Sequence, residues 1–143
     1  MTKQELMETV AERFSVDPEY PWEKIESGYV FRRRDNRKWF GMGMAVPYAR
    51  LGLERDGSAD VFNVKCGPLL QGSYLSHPGI LPAYHMNKTH WLSILLDGSA
   101  DDDVIRELLD LSYDLTGPRR KTARQGRSGE ASPDGTKGDG NDP

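Results

Sequence analysis

Near the start of the chain, apolar residues recur at intervals of three and four. Leu6, Met7, Val10, Ala11 and Phe14 form the series, with Glu5, Glu8, Glu12 and Arg13 between them. One face of a 3.6-residue period is therefore apolar, which predicts an amphipathic helix over residues 4–14. Thr2 stands three positions before Glu5, the spacing at which hydroxyl and carboxylate each satisfy a free backbone N–H at a helix start. Asp17-Pro18 and Tyr20-Pro21 bar any continuation, because proline lacks an amide hydrogen and restricts its predecessor.

Beyond residue 28 the period becomes two. Residues 29–34 and 38–46 flank the polar Asp35-Asn36-Arg37 and predict a hairpin. Its second segment sets Phe40, Met42, Met44 and Val46 against Trp39, Gly41, Gly43 and Ala45, so one face is bulky and the other mostly small. The small face predicts close packing of another element, a helix. Residues 48–54 alternate around Leu51 and Leu53 and predict a third strand. The Asp56-Gly57 turn joins it to a fourth over 59–66, completing a four-strand meander.

Leu69, Leu70, Ser73 and Tyr74 predict a short helix closed by His77-Pro78-Gly79, residues 80–89 read as a loop, and 91–96 read as a buried last strand. Asp101, Asp102 and Asp103 then open a helix whose N-terminal dipole favours acidic groups. Val104, Ile105, Leu108, Leu109, Leu111, Ser112 and Leu115 supply its apolar stripe, and Gly117-Pro118 ends it. The expectation is one α+β domain over residues 1–117. It is a two-layer sandwich, an antiparallel sheet of about five strands with the N- and C-terminal helices packed on it. Residues 118–143 hold too few apolar side chains to offset ordering entropy and are expected to form a disordered tail.

Composition narrows the class. Of 143 residues, 36% are hydrophobic and 29% charged, which suits one core and a solvated tail. Cys66 is the only cysteine, which excludes an intramolecular disulfide. No apolar run reaches signal-peptide or membrane-helix length, so the expected setting is the cytoplasm, with no membrane association. Residues 1–118 hold 13 Lys/Arg against 18 Asp/Glu, a balance of −5, while residues 119–143 hold 6 against 4. An acidic domain argues against a protein that neutralises many phosphates, unless positive charge is locally concentrated.

Arg32, Arg33, Arg34, Arg37 and Lys38 supply such a concentration at the predicted hairpin tip. One reading is a wing for phosphate or groove contact. The other is an edge hairpin kept soluble by charge and neutralised by Glu19, Glu23, Glu26 and Asp35. His85, Asn87, Lys88, His90 and Trp91 form a polar cluster before the last strand. No cysteine or acidic partner stands at zinc spacing, and no nucleophile accompanies the His85/Lys65 pair, so neither metal, cofactor nor catalysis is expected. The structural alternative is that Asn87, His90 and Trp91 brace the loop and lock Trp91 under the C-terminal helix. Cys66 reads as a small core residue. Arg119, Arg120, Lys121, Arg124 and Arg127 form a tail cluster that attracts polyanions nonspecifically or serves solubility alone.

The run Pro82-Ala83-Tyr84-His85-Met86-Asn87-Lys88-Thr89-His90-Trp91, with Ser112-Tyr113, Lys38-Trp39-Phe40, Asn63-Val64-Lys65-Cys66 and Pro68, resembles the MmcQ/YjbR family over roughly residues 3–117. The resemblance implies a compact frataxin-like (CyaY-like) α+β domain, described in that family as DNA-binding. It places Lys65, His85, Asn87, Lys88, His90 and Trp91 in the family motif. The acidic ridge of true frataxins is not matched residue by residue. The expected function is a noncatalytic, monomeric binding protein with weak double-stranded DNA binding through Arg32, Arg33, Arg34, Arg37, Lys38, Lys65 and Lys88. The alternative is a protein-interaction module built on the region from His85 to Trp91, with no nucleic-acid role.

Overall fold

In a computed structural model, residues 1–25 and 27–118 are described. Glu26, the tail cluster and the expected disorder of 118–143 beyond Pro118 lie outside them. Helix α1 spans Lys3–Phe14. Thr2 caps it: the Glu5 N–H donates to Thr2 Oγ1 at 3.1 Å, and the Thr2 N–H donates to Glu5 Oε1 at 2.9 Å. Strands β1 (Tyr29–Arg32), β2 (Trp39–Pro47) and β3 (Ser58–Lys65) form a meander. Helix α2 (Pro68–Leu75) then carries the chain to edge strand β4 (Ile80–Pro82), and β5 (Trp91–Leu95) returns between β4 and β3. Helix α3 (Asp102–Leu115) follows, capped by Asp101, whose carboxylate accepts from the Asp103 and Val104 N–H groups. The result is a five-stranded antiparallel sheet in the order β1-β2-β3-β5-β4. No helix among the described residues is long and apolar enough to cross a membrane.

The sheet has two buried faces. Leu6 and Val10 of α1 and Ile105, Leu108 and Leu109 of α3 meet Tyr29, Phe31, Phe62, Val64, Leu92 and Ile94 on the first. On the second, Val30, Trp39, Met42, Met44, Val61 and Leu95 are covered by loop residues Trp22, Ile25, Leu51, Leu53, Tyr84 and Met86. The terminal helices thus form one layer, and irregular chain forms the cover opposite.

Two local expectations are corrected, and a third gains detail. Residues 48–54 do not form a strand: Tyr48–Leu51 is a 3₁₀ turn, closed by Gly52 at φ 79°. The Tyr48 N–H donates to the Gly57 carbonyl, and its hydroxyl donates to Asp97 Oδ2 at 2.7 Å, so the segment is pinned as a corner and β2 pairs directly with β3. Leu51 and Leu53 alternate because both tuck under the second face. Residues 80–82, expected in a loop, form β4 despite Pro82, which the edge position tolerates because an edge strand leaves one row of N–H groups unpaired. Finally, the small face of β2 is the helix-covered one, as expected, but neighbouring rings fill the space directly over its glycines: a Cβ on Gly41 would stand 2.3 Å from the Phe62 ring, and one on Gly43 2.3 Å from that of Tyr29.

At the start of β2, Phe31 pairs with Gly41 and Arg32 with Trp39, leaving Phe40 as the extra residue of a bulge. Ser112 of α3 repairs the interrupted ladder. Its hydroxyl donates to the Phe40 carbonyl at 2.7 Å and accepts the Lys65 N–H at 2.8 Å, so one buried side chain joins the ends of β2 and β3.

Candidate functional site

The β1–β2 turn, the end of β3 and the start of β5 share one end of the sheet, as the pairs Arg32↔Trp39, Gly41↔Val64 and Lys65↔Trp91 require. The candidate residues collect at this end, in two groups of different character.

The first is the 83–90 loop between β4 and β5. Asn63 on β3 and Ser93 on β5 are direct register partners, both buried, on the second face. Ser93 Oγ donates to Asn63 Oδ1, while it accepts the Tyr84 N–H at 2.8 Å, and Asn63 Nδ2 donates to the Tyr84 carbonyl at 3.2 Å. Both backbone groups of Tyr84 are therefore held from inside the sheet. The return is braced as firmly. Asn87 Oδ1 accepts the Thr89 N–H at 2.8 Å, and its carbonyl accepts the N–H groups of His90 and Trp91. Gln71 of α2 donates to the Thr89 carbonyl at 2.8 Å, and the Cys66 N–H donates to the His90 carbonyl at 2.7 Å. His85 takes φ 62°, a left-handed conformation that costs a non-glycine residue free energy and persists only where its surroundings impose it. The side chains of His85, Asn87 and Lys88 are exposed, and His90 is half-buried.

Trp91 is 1% exposed, as a structural anchor requires, but not under α3. Leu92 and Ile94 face the helices, so strand alternation turns Trp91, with Ser93 and Leu95, to the other face. Asn63, Ser93, Gln71 and Ser112 are the positioning residues that sequence reasoning missed. For Asn63 and Ser93, a polar residue at an inward strand position was the available signal, since such a group must find a partner.

The second group is the basic hairpin, and most of its charge is committed internally. Arg33 is 7% exposed. Its Nε and Nη2 donate to the two Asp35 carboxylate oxygens at 2.9 and 2.8 Å, its Nη1 to the Tyr113 carbonyl at 2.5 Å, and its guanidinium lies 3.9 Å from the centre of the Tyr113 ring. Arg32 and Arg37 converge on Glu19, at 3.1 and 2.8 Å. Burial works to raise the Glu19 carboxyl, but the Arg37 and Arg32 guanidinium groups outweigh it and hold it below the usual carboxylate range. The hydrogen bond from Arg33 likewise lowers Asp35. Glu19 also pairs its backbone with Val30, covering the outer edge of β1. Arg34 alone among the hairpin arginines makes no ion pair with the described residues, and it is exposed. Lys38 and Lys65 are half-buried, each with interactions of its own.

Cys66 is buried, and that burial pushes its thiol pKa up, away from thiolate chemistry. Among the described residues no group of three or more His, Cys, Asp or Glu is placed to hold a metal. An open depression of about 580 Å³ along residues 49–56 brings none of the candidate residues together.

Fold and site together define a small α+β domain that displays a braced polar loop at one end of its sheet. The family model described as YjbR matches residues 13–115, and the chain belongs to that family. YyaQ of Bacillus subtilis (strain 168), described as uncharacterized, is 36% identical over 116 residues, covering 81% of this chain and 98% of its own. A crystal structure of a Pseudomonas syringae protein superposes with a TM-score of 0.79 at 38% identity, covering 82% of this chain and all of that one. A Deinococcus radiodurans protein at 20% identity and TM-score 0.59 shares the fold.

Proposed function

We propose that the protein is a noncatalytic binding module whose recognition element is the 83–90 loop, and that its partner is another protein. The observation that carries this reading is the grip of Asn63 and Ser93 on both backbone groups of Tyr84, next to His85 in its left-handed conformation. Two buried polar residues and a strained backbone are costly unless they hold something in place. What they hold is the backbone of a loop whose His85, Asn87 and Lys88 side chains are exposed. Pre-organisation of this kind lowers the entropy lost on binding. A buried thiol with a raised pKa supports the noncatalytic part, and a cytoplasmic setting belongs to the same proposal.

Weak duplex DNA binding is the second reading. It draws on the shared sheet end, where exposed Arg34 stands with Lys38, Lys65 and Lys88. Against it stand the ion pairs that occupy Arg32, Arg33 and Arg37, and a domain balance of 13 Lys/Arg to 18 Asp/Glu. A photo-crosslinking amino acid placed at His85, and separately at Arg34, tests both in cells that make the protein. Discrete protein adducts from position 85 are the expected result. DNA adducts from position 34, with none from 85, establish the second reading, and no adduct from position 85 at all defeats the first.

A further inference from the structure

We propose that α2 is a conformational strap on the 83–90 loop: it opens as a unit while the sheet stays folded, and its opening releases the return half of the loop, residues 87–90. The inference rests on the loop being a recognition element and adds how that element is regulated. The two halves of the loop are held by different parts of the fold. Both backbone groups of Tyr84 are gripped by Asn63 and Ser93, buried side chains of the paired interior strands β3 and β5. On the return, Gln71 of α2 donates to the Thr89 carbonyl at 2.8 Å and to the Trp91 carbonyl at 3.4 Å. The Cys66 N–H, just past the end of β3, donates to the His90 carbonyl between them, so α2 supplies one clasp and the sheet the other. Asn87 and Lys88, with their exposed side chains, lie in this second half.

Helix α2 is itself weakly held. None of its eight residues is buried, and Leu69, Leu70 and Leu75 are all exposed, so docking the helix removes little apolar surface from water. An isolated helix this short does not persist in water. Pro68 sets its first turn, but Gly67 offers no side-chain acceptor as a cap, and Gly72 stands in the middle, where glycine is among the poorest helix formers. What holds α2 is a pair of polar attachments, Gln71 to the loop and the Tyr74 hydroxyl to Glu107 of α3 at 3.0 Å, with the Tyr74 ring resting half-buried against the first-face core. In β3 and β5, by contrast, Val61, Phe62, Val64, Leu92 and Ile94 are fully buried. A segment with so few buried apolar contacts opens at far lower free energy than the sheet beside it, and the half-loop that it clasps opens with it.

Hydrogen exchange followed by NMR on the ¹⁵N-labelled full chain tests this, with Gly72→Ala and Gln71→Ala as variants. In the unsubstituted protein the amides of 72–75 should exchange at one common rate, at least about a hundredfold faster than those of β3 and β5. A Cβ at position 72 meets nothing within 4 Å, so Gly72→Ala stabilises α2 without touching the loop. It should slow the 72–75 amides roughly fourfold, the glycine-to-alanine difference in a helix. The Thr89 and His90 amides, which donate to the Asn87 side chain and carbonyl, should slow by the same factor, while the Tyr84 amide keeps its rate. With Gln71 already replaced by alanine, adding Gly72→Ala should slow α2 alone. Helix amides as protected as the strands overturn the strap, as does an α2 indifferent to Gly72→Ala. Thr89 and His90 amides that keep their rates while α2 slows also overturn it. Crosslinking at position 85 is an independent measurement: coupled exchange without those crosslinks leaves the strap standing and defeats the recognition reading, and crosslinks without coupling do the reverse.

Discussion

The Arg33 guanidinium lies over the Tyr113 ring, 3.9 Å from its centre, and donates to that residue's own carbonyl. A side chain that would serve a DNA-contacting wing instead fastens the β1–β2 turn to the last turn of α3. Asn36 adds to the clasp, donating to the Thr116 carbonyl at 2.8 Å. The hairpin is therefore a structural joint, and its arginines differ in what they do.

Arg33→Ala should cost about 2–3 kcal/mol, since it removes the charge-assisted hydrogen bonds to Asp35 and to the Tyr113 carbonyl, which keeps only the Thr116 hydroxyl as a side-chain donor. Arg33→Lys should recover only part of this, because an ammonium cannot form the planar fork and stack together. Arg34→Ala should stay within about 0.5 kcal/mol, as an exposed side chain does. Urea unfolding of the three variants checks the order.

Ser112→Ala should cost about 2 kcal/mol, because the Phe40 carbonyl and the Lys65 N–H both lose a buried partner at the bulge. Hydrogen exchange should show the loss at Lys65 first. An unchanged Lys65 amide would mean that the ladder closes without the serine.

Asn63→Leu fits an apolar side chain where the clamp now stands and should free the loop without unfolding the sheet. The Tyr84 amide should lose protection from exchange by at least about tenfold, as local opening needs only the few kcal/mol that held it. Amides of α1 and β2 should keep theirs. Binding through the loop should weaken with it.

Stability should fall in acid, and Glu19 is one cause. A free glutamate titrates at 4.5, and Arg37 and Arg32 hold this one lower despite its burial. The folded state therefore binds that proton less readily than the unfolded chain. The contribution of Glu19 is complete above 4.5 and is lost as pH falls through the lowered folded value. Glu19→Gln should flatten the decline in stability below that pH and leave the shape above it unchanged, as denaturation at neutral and acidic pH would show.

Tyr29→Phe should be neutral or stabilising by about 1 kcal/mol. The hydroxyl is buried with no hydrogen-bond partner, so removing it deletes an unsatisfied group. Gly43→Ala, by contrast, should destabilise strongly, since its Cβ would overlap the same ring. Thermal melts of the two variants should move in opposite directions, or only the second should move.

Where one residue's chemistry acts on near neighbours, the sequence by itself was decisive. Thr2 and Glu5 lie within one turn, so the capping box that starts α1 could be read directly, as could the apolar stripes of α1 and α3 and the aspartate cap at Asp101. The α+β class and the residues in the core followed from the same local periods. Contacts across long stretches of chain were decided only by the tertiary structure. Residues 48–54 alternate as a strand does, yet Asp97 and Gly57 fold them into a corner, because a two-residue period reports burial on one side and not hydrogen-bond partners. Trp91 was legible as an anchor, but its face was set by the strand's register against β3. Arg33 and Arg34 are neighbours of identical chemistry. That one stacks on Tyr113, 80 residues away along the chain, and the other faces solvent is fixed by where α3 ends, which no local pattern encodes.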